Sequence, residues 1–317
     1  MSEQIDSWER SVLEKLAMSA IQEQRRARRW GIFFKALTFG YLFFLLFMVM
    51  GWASDKGDGL SGGKHTALID INGVIASDSE ANADNLIGSL QDAFDDKRTA
   101  GIILRVNSPG GSPVQAGLVN DEIRRLRALH PGIPLHVVVE DMCASGGYYI
   151  AVAANNIYVN KASIVGSIGV LMDGFGFTGT MEKLGVERRL MTAGENKGFM
   201  DPFSPRNPKH EAFTKGLLGD IHQQFIDVVK HGRGKRLKET PEMFSGLFWS
   251  GDKAIEMGLA DAIGSVDSVA RDVIKVERVV DFTARENIVD RLAKKLGAGV
   301  ASAFPGFGAQ MDSVTLR

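Results

Sequence analysis

Residues 142–149 read MCASGGYY: a serine set between a small residue and two glycines, after the apolar run LHVVVE and ahead of the helix-forming GGYYIAVAA. In that setting the hydroxyl of Ser145 lies among amide groups without intrahelical partners, a corner suited to stabilising an oxyanion. Glycine matters there because a backbone N–H approaches a carbonyl closely only where no Cβ intrudes, and tight strand-to-helix turns often need positive φ. Gly146 and Gly147 meet both needs. A second glycine pair stands in NSPGG, 107–111, at the C-terminal end of the strand GIILRV, the edge where parallel sheets commonly build sites. Taken singly, each string also fits a packing turn or a Pro-Gly turn. The G-x-S-x-G elbow is not matched, because Cys143 takes the place of its first glycine.

A nucleophilic serine needs a base, and histidine is the usual one. His65 opens a strand, His130 and His136 flank PGIP, His210 and His222 lie on a long helix, and His231 ends it. Structural or surface roles suffice for all six. No pair shows the spacing of H-E-x-x-H, and the single cysteine excludes a thiolate cluster, so neither a metal nor a cofactor is expected. Lysine remains. Lys197, in LMTAGENKGFMDPF, follows an expected strand and a glycine turn and precedes an Asp-Pro stop. Lysine is almost fully protonated at neutral pH, so one that serves as a base must be desolvated. A neighbouring hydroxyl would hold the neutral amine, and Ser167 in VGSIGV offers one at the end of an apolar strand.

These residues need a scaffold, and the scaffold begins with an anchor. Residues 32–53, IFFKALTFGYLFFLLFMVMGWA, carry Lys35 as their only charge; as a helix they extend about 33 Å, enough to span a bilayer. Arg25, Arg26, Arg28 and Arg29 precede the span while Lys56 and Lys64 lie beyond it, so the positive-inside rule leaves the N-terminus cytoplasmic and translocates the chain from residue 54 onward. Residues 1–31 form a cytoplasmic segment, amphipathic over 5–21, and 54–64 a Gly-rich linker. From 65 to 284, short β-branched runs alternate with helical patterns: strands in TALIDINGVI, GIILRVN, LHVVVE and IYVN, with helices over 84–98, 114–129 and 146–155. This alternation predicts a parallel sheet covered by helices. SIVGSIGV and ERRLMTA are expected as a further strand pair around a short helix at 180–185. A long helix over 208–231 sets Phe213, Leu217, Ile221, Phe225 and Val228 on one core-facing side. Short helices are expected within 245–264 and over 266–275, and 285–317 forms a tail. The net charge of −1 shows no basic excess for nucleic acid. GFGFTG, 174–179, and SGGK, 61–64, match catalytic expressions literally but lack their structural settings.

In this order, NSPGG, MCASGGYYIA, SIVGSIGV, TAGENKGFMDPF and FWSGDKAIEMGLADAIG resemble the signal peptide peptidase A family of Ser/Lys-dyad serine peptidases, over residues from about 65 to 264. The resemblance implies a crotonase-like (Clp protease/crotonase superfamily) α/β domain behind one N-terminal transmembrane helix. It implies Ser145 as nucleophile, Lys197 as general base, Ser167 as the residue orienting the lysine, and the amides of Gly110, Gly111 and Gly146 as oxyanion-hole candidates. It further implies hydrolysis of signal-peptide remnants and other membrane-associated peptides, in the inner membrane of a bacterium with the catalytic domain on the periplasmic side. Short members of the family assemble into homo-oligomeric rings, reported as octamers, with serine and lysine from neighbouring subunits. Two departures from the family pattern are Cys143, where many members have alanine, and Gly198, where some have an acidic residue. Cys143 is expected to pack inward rather than to act as a nucleophile. The competing functions are a crotonase-like acyl-CoA hydratase or thioesterase and a non-catalytic membrane scaffold.

Overall fold

The computed structural model describes Met18, residues 22–46 and residues 63–284. The first element, α1 (Gln22–Leu46), is a 25-residue helix with a stretch of mean hydropathy 1.3, long and apolar enough to cross a membrane by length and composition. It starts ahead of the expected span because Gln22–Arg29 is rich in helix formers and contains neither Gly nor Pro to interrupt the helix. Its Arg cluster is therefore continuous with the apolar stretch. Apart from Met18, the expected amphipathic helix over 5–21 lies outside the described residues, as do the end of the span at 47–53, most of the linker and the tail 285–317. The helix and the domain after it form separate compact units.

The domain is α/β, as its sequence pattern requires. Its elements run β1 (His65–Asn72), α2 (Ala83–Asp95), β2 (Thr99–Ser108), α3 (Pro113–Leu129), β3 (Leu135–Ala144), α4 (Gly146–Ala151), β4 (Asn156–Val159), β5 (Ile164–Gly166), α5 (Thr178–Lys183), α6 (Pro208–Arg233), β6 (Phe248–Ser250), α7 (Gly251–Glu256), β7 (Ala262–Ile263), α8 (Val266–Ser268) and β8 (Val279–Asp281). Caps set several helix starts. Asn82 accepts from Asn85 N at 2.8 Å, Ser112 from Gln115 N at 3.3 Å ahead of Pro113, and Asn207 from Lys209 N at 3.0 Å ahead of Pro208.

One sheet carries all eight strands, in the order β6-β5-β3-β2-β1-β8, parallel except where β6 runs against β5. It forks at β3: His136–Val138 pair with β4, which pairs in turn with β7, whereas Met142–Ala144 pair with β5. Between these halves the register with β2 shifts, so that Val106 faces Val139 but Ser108 faces Cys143. The extra residues of β3 form a bulge that re-aims the strand just before Ser145. Apolar side chains from β1, β2, β3, α2, α3 and α4 form the main core, and Leu68, Ile103, Val138, Tyr158, Val269 and Ala270 a smaller one on the other face. Arg233 is fully buried at the end of α6, its guanidinium bidentate to Asp261 at 2.9 Å and donating to Gly258 O at 2.8 Å.

Three expectations are corrected. ERRLMTA is not a strand: 187–193 has no ladder partner, because the place beside β5 is taken by β6. SIVGSIGV contributes only Ile164–Gly166 to the sheet, since the chain turns out at Ser167, where φ is 53°. On α6 only Phe225 of the five apolar residues is buried, with Phe213 67% exposed, because the N-terminal half of that helix extends past the core alongside the segment 170–207.

Candidate active site

Ser145 joins β3 to α4 with φ 52° and ψ −121°, a conformation that L-residues rarely adopt. Its amide donates to Gly166 O at 2.9 Å and its carbonyl accepts from Tyr149 N at 2.9 Å, so the turn is clamped from both sides and its strain is held by the surrounding fold. The parallel register that pairs Ala144 with Gly166 places Ser145 beside Ser167, another serine with positive φ, at the C-terminal ends of adjacent strands. Ser167 is fixed in turn: its amide donates to Leu247 O at 2.7 Å, and His222 Nε2 donates to the next carbonyl, Ile168 O, at 3.1 Å. Trp249 lies over Gly166 so closely that a Cβ there would stand 2.9 Å from the indole ring. Two of the predicted side chains are thus brought to one sheet edge.

The NSPGG loop meets them from β2. At φ 98°, Gly110 packs so tightly that a Cβ would stand 2.6 Å from both Gly146 N and Ser145 Cβ. A Cβ on Gly111 would stand 2.1 Å from Ile75 O, and one on Gly146 would stand 3.2 Å from Gly111 N. Only glycine allows these three backbones to meet. Among the described residues the N–H groups of Gly111 and Gly146 have no partner, whereas Gly110 N donates to Ser108 Oγ at 3.1 Å. The amide of Gly110 is therefore engaged, and of the three only those of Gly111 and Gly146 are left open. Because α4 has only six residues, its contribution is these open amides rather than a sizeable macrodipole.

Lys197 lies elsewhere in the chain, exposed in a turn, its amide donating to Gly194 O at 3.1 Å. Among the described residues its side chain makes no hydrogen bond or ion pair, so neither Ser145 nor Ser167 holds it within one chain. Its turn belongs to a small structure of its own. Asp201 accepts from Ser204 Oγ at 2.7 Å, from Phe203 N at 3.3 Å and from Arg188 Nε at 3.3 Å, while Phe177 stacks on Phe203. These bonds, the Ser204 hydroxyl first, hold the Asp201 carboxyl below the usual carboxylate range. A Cβ on Gly198 would stand 2.7 Å from Leu190 Cδ2, so the departure at this position matches the local packing. The surface around it is strongly apolar: Leu171 and Phe175 are 80% exposed and Met191 93%.

Cys143 is fully buried opposite Ser108, and burial pushes its thiol well above the ordinary cysteine range, so it is unsuited to attack. GFGFTG is exposed, with no strand before it, and is no phosphate loop. No group of three or more His, Cys, Asp or Glu able to hold a metal occurs among the described residues. Sequence reasoning passed over Ser108, Asp201 and Trp249, and gave His222 only a structural or surface role. Ser108 stands inside the quoted NSPGG string and Asp201 inside TAGENKGFMDPF, but nothing in the order of residues distinguishes their bonds.

Residues 127–280 match the model of Peptidase family S49. That span contains Ser145, Ser167 and Lys197, and the NSPGG loop precedes it. The chain is 46% identical over 184 residues to a Na(+)/H(+) antiporter NhaA of Brucella melitensis, a match covering 58% of this chain and only 25% of that protein. It is 29% identical over 231 residues to a protein of Enterococcus faecium provisionally named signal peptide peptidase SppA, covering 70% of this chain and 67% of that one. A solved ClpP1 variant from Listeria monocytogenes superposes with a TM-score of 0.41 at 14% identity, covering 62% of this chain and 91% of the other. With the ordered blocks around Ser145, Ser167 and Lys197, these matches make residues 127–280 similar to peptidase family S49 and the longer span similar to the Enterococcus faecium protein.

Proposed function

We propose that the protein is a membrane-anchored serine endopeptidase in which Ser145 is the nucleophile and Lys197 of a neighbouring copy the general base. The observation that carries this reading is the strained Ser145 turn, set beside two open amides and in register with Ser167. Lys197 takes the Ser145 proton, Oγ attacks the scissile carbonyl, the N–H groups of Gly111 and Gly146 stabilise the oxyanion, and the protonated amine returns its proton to the leaving amine. Water then attacks the acyl-enzyme and frees Ser145. Ser167 orients the lysine. Docking of a neighbouring copy on the exposed apolar segment 170–207 would remove water from the amine, the condition under which a lysine works as a base. Such copies would close into a ring, for which the family suggests eight.

Substrates are apolar peptides delivered by the bilayer, cleaved signal peptides above all, and α1 concentrates the enzyme beside them. The cluster Arg25–Arg29 keeps the N-terminus in the bacterial cytoplasm and leaves the catalytic domain on the periplasmic side. A fluorophosphonate probe tests the nucleophile: labelling of the wild type that disappears in Ser145→Ala is expected, whereas absent labelling combined with affinity for coenzyme A would overturn the reading in favour of thioester chemistry. Mixing co-assembled Ser145→Ala and Lys197→Ala chains should restore cleavage of a defined signal peptide. Failure to do so despite proven co-assembly refutes the shared site.

A further inference from the structure

We propose that Ser108 is the positioning residue that aims the oxyanion donor of Gly111, an inference that rests on the peptidase reading above. Ser108 is the last residue of β2 and is completely buried. Its hydroxyl donates to Gly73 O at 2.6 Å and accepts from Gly110 N at 3.1 Å. Since a hydroxyl has a single proton to donate, the bond to Gly73 fixes its orientation and leaves a lone pair for Gly110. One side chain thereby ties the loop after β1 to the glycine loop after β2.

Peptide planarity carries that tie to the next amide. Gly110 O accepts from Ile75 N at 2.9 Å, and Ser112 N donates to Ile75 O at 2.8 Å. All described peptide bonds are trans, so the N–H of Gly111 points opposite to the carbonyl of Gly110, away from Ile75. Gly111 N lies 3.2 Å from where a Cβ of Gly146 would be, which puts that N–H on the side of Ser145 and Gly146. The Ile75 bonds fix one end of this peptide unit and the Ser108 bond to Gly110 N fixes the residue before it. Without the hydroxyl, the Gly110 amide loses its anchor, the Ile75 bonds alone hold the unit, and the donor's aim loosens. Gly147 packs against Ser108: a Cβ on Gly147 would stand 3.4 Å from Ser108 Cβ and 3.6 Å from its Oγ.

The test compares Ser108→Ala and the near-isosteric Ser108→Cys with wild type, as full chains in detergent, on a defined peptide. Losing an oxyanion donor costs 10²–10³ in kcat, so losing its support should lower kcat per titrated active site by about 10–100-fold in Ser108→Ala, with KM within about 2-fold. The inhibition constant of a peptide aldehyde, which forms a tetrahedral adduct at that oxyanion site, should weaken in parallel, and Ser108→Cys should fall between. If the alanine variant does not fold, the cysteine variant carries the comparison. An unchanged kcat per active site, or a loss confined to the number of active sites, overturns the proposal. Hydrogen exchange at the Gly110 amide separates this from the peptidase reading: slow exchange in wild type and faster exchange in Ser108→Ala supports the network even if no peptide is cleaved, and equal rates overturn it.

Discussion

Replacing Gly110 by alanine is the sharpest perturbation of the site, because the added methyl meets the Gly146 and Ala144 backbone on one side and Ser145 on the other. Its Cβ would stand 2.6 Å from Gly146 N and from Ser145 Cβ and 2.8 Å from Ala144 O, whereas ordinary contact begins at 3.4 Å. The Gly110 loop and the Ser145 turn must therefore separate by about 0.8 Å, and a misplacement of about 1 Å at reacting groups can cost about 100-fold in rate. The φ of 98° adds backbone strain for any residue with a Cβ, of order 1–3 kcal/mol, which for a domain of this size lowers Tm by about 2–4 °C per kcal/mol. The assay is the second-order rate constant of fluorophosphonate labelling, with a thermal melt on the same preparation. A labelling rate at least about 30-fold below wild type is expected, with a Tm lowered by several degrees. Gly117→Ala on α3 is the control: nothing lies within 4 Å of its added Cβ, so it should label normally and gain about 0.5–1 kcal/mol in stability. Labelling of Gly110→Ala within about 3-fold of wild type, when the loops should be displaced by nearly the distance that costs 100-fold, would refute the claim that this close approach shapes the site.

Other outcomes rest on contacts away from Ser145. Arg233→Met leaves Asp261 partly buried with only Arg236, at 3.3 Å, as a charged partner and should cost about 3–5 kcal/mol, readable as a Tm drop in a calorimetric scan. His136 is held below the ordinary 6.5 by burial first and by the Arg127 charge, against the opposing pull of Asp261. The unfolded chain then binds protons first, so stability is full above about pH 6.5 and falls as pH drops below it. His136→Phe should flatten that limb of a Tm-versus-pH curve, and an unchanged slope would count against it. Cys143 should resist iodoacetamide in the native protein and react only on unfolding, as mass spectrometry would show. Asp201→Ala removes the acceptor that binds Ser204, Phe203 and Arg188 and should lower peptide cleavage about 10-fold while Tm moves little, since the Arg188 pair is exposed at one end.

Local signals were enough for much of this protein. Hydrophobic period and caps determined the strands β1 to β4, the helices α2, α3 and α6, and the apolar helix near the N-terminus, because each of these depends on neighbours in the chain. The glycine strings told where backbone must approach backbone, since a missing Cβ is a property of the residue itself. Local pattern failed at ERRLMTA and on the outer half of α6, where apolar periodicity predicts burial but does not say what does the burying. Only the tertiary structure decided that β3 forks between β4 and β5, that Ser145 and Ser167 stand in register, and that the Gly110 amide is turned inward onto Ser108 while Gly111 and Gly146 stay open. The first two are hydrogen-bond pairings between segments well separated in the chain, set by strand register and the bulge in β3, and the third depends on the Ser108 hydroxyl being held by Gly73 O, 35 residues before it, so no short-range preference of the chain encodes them.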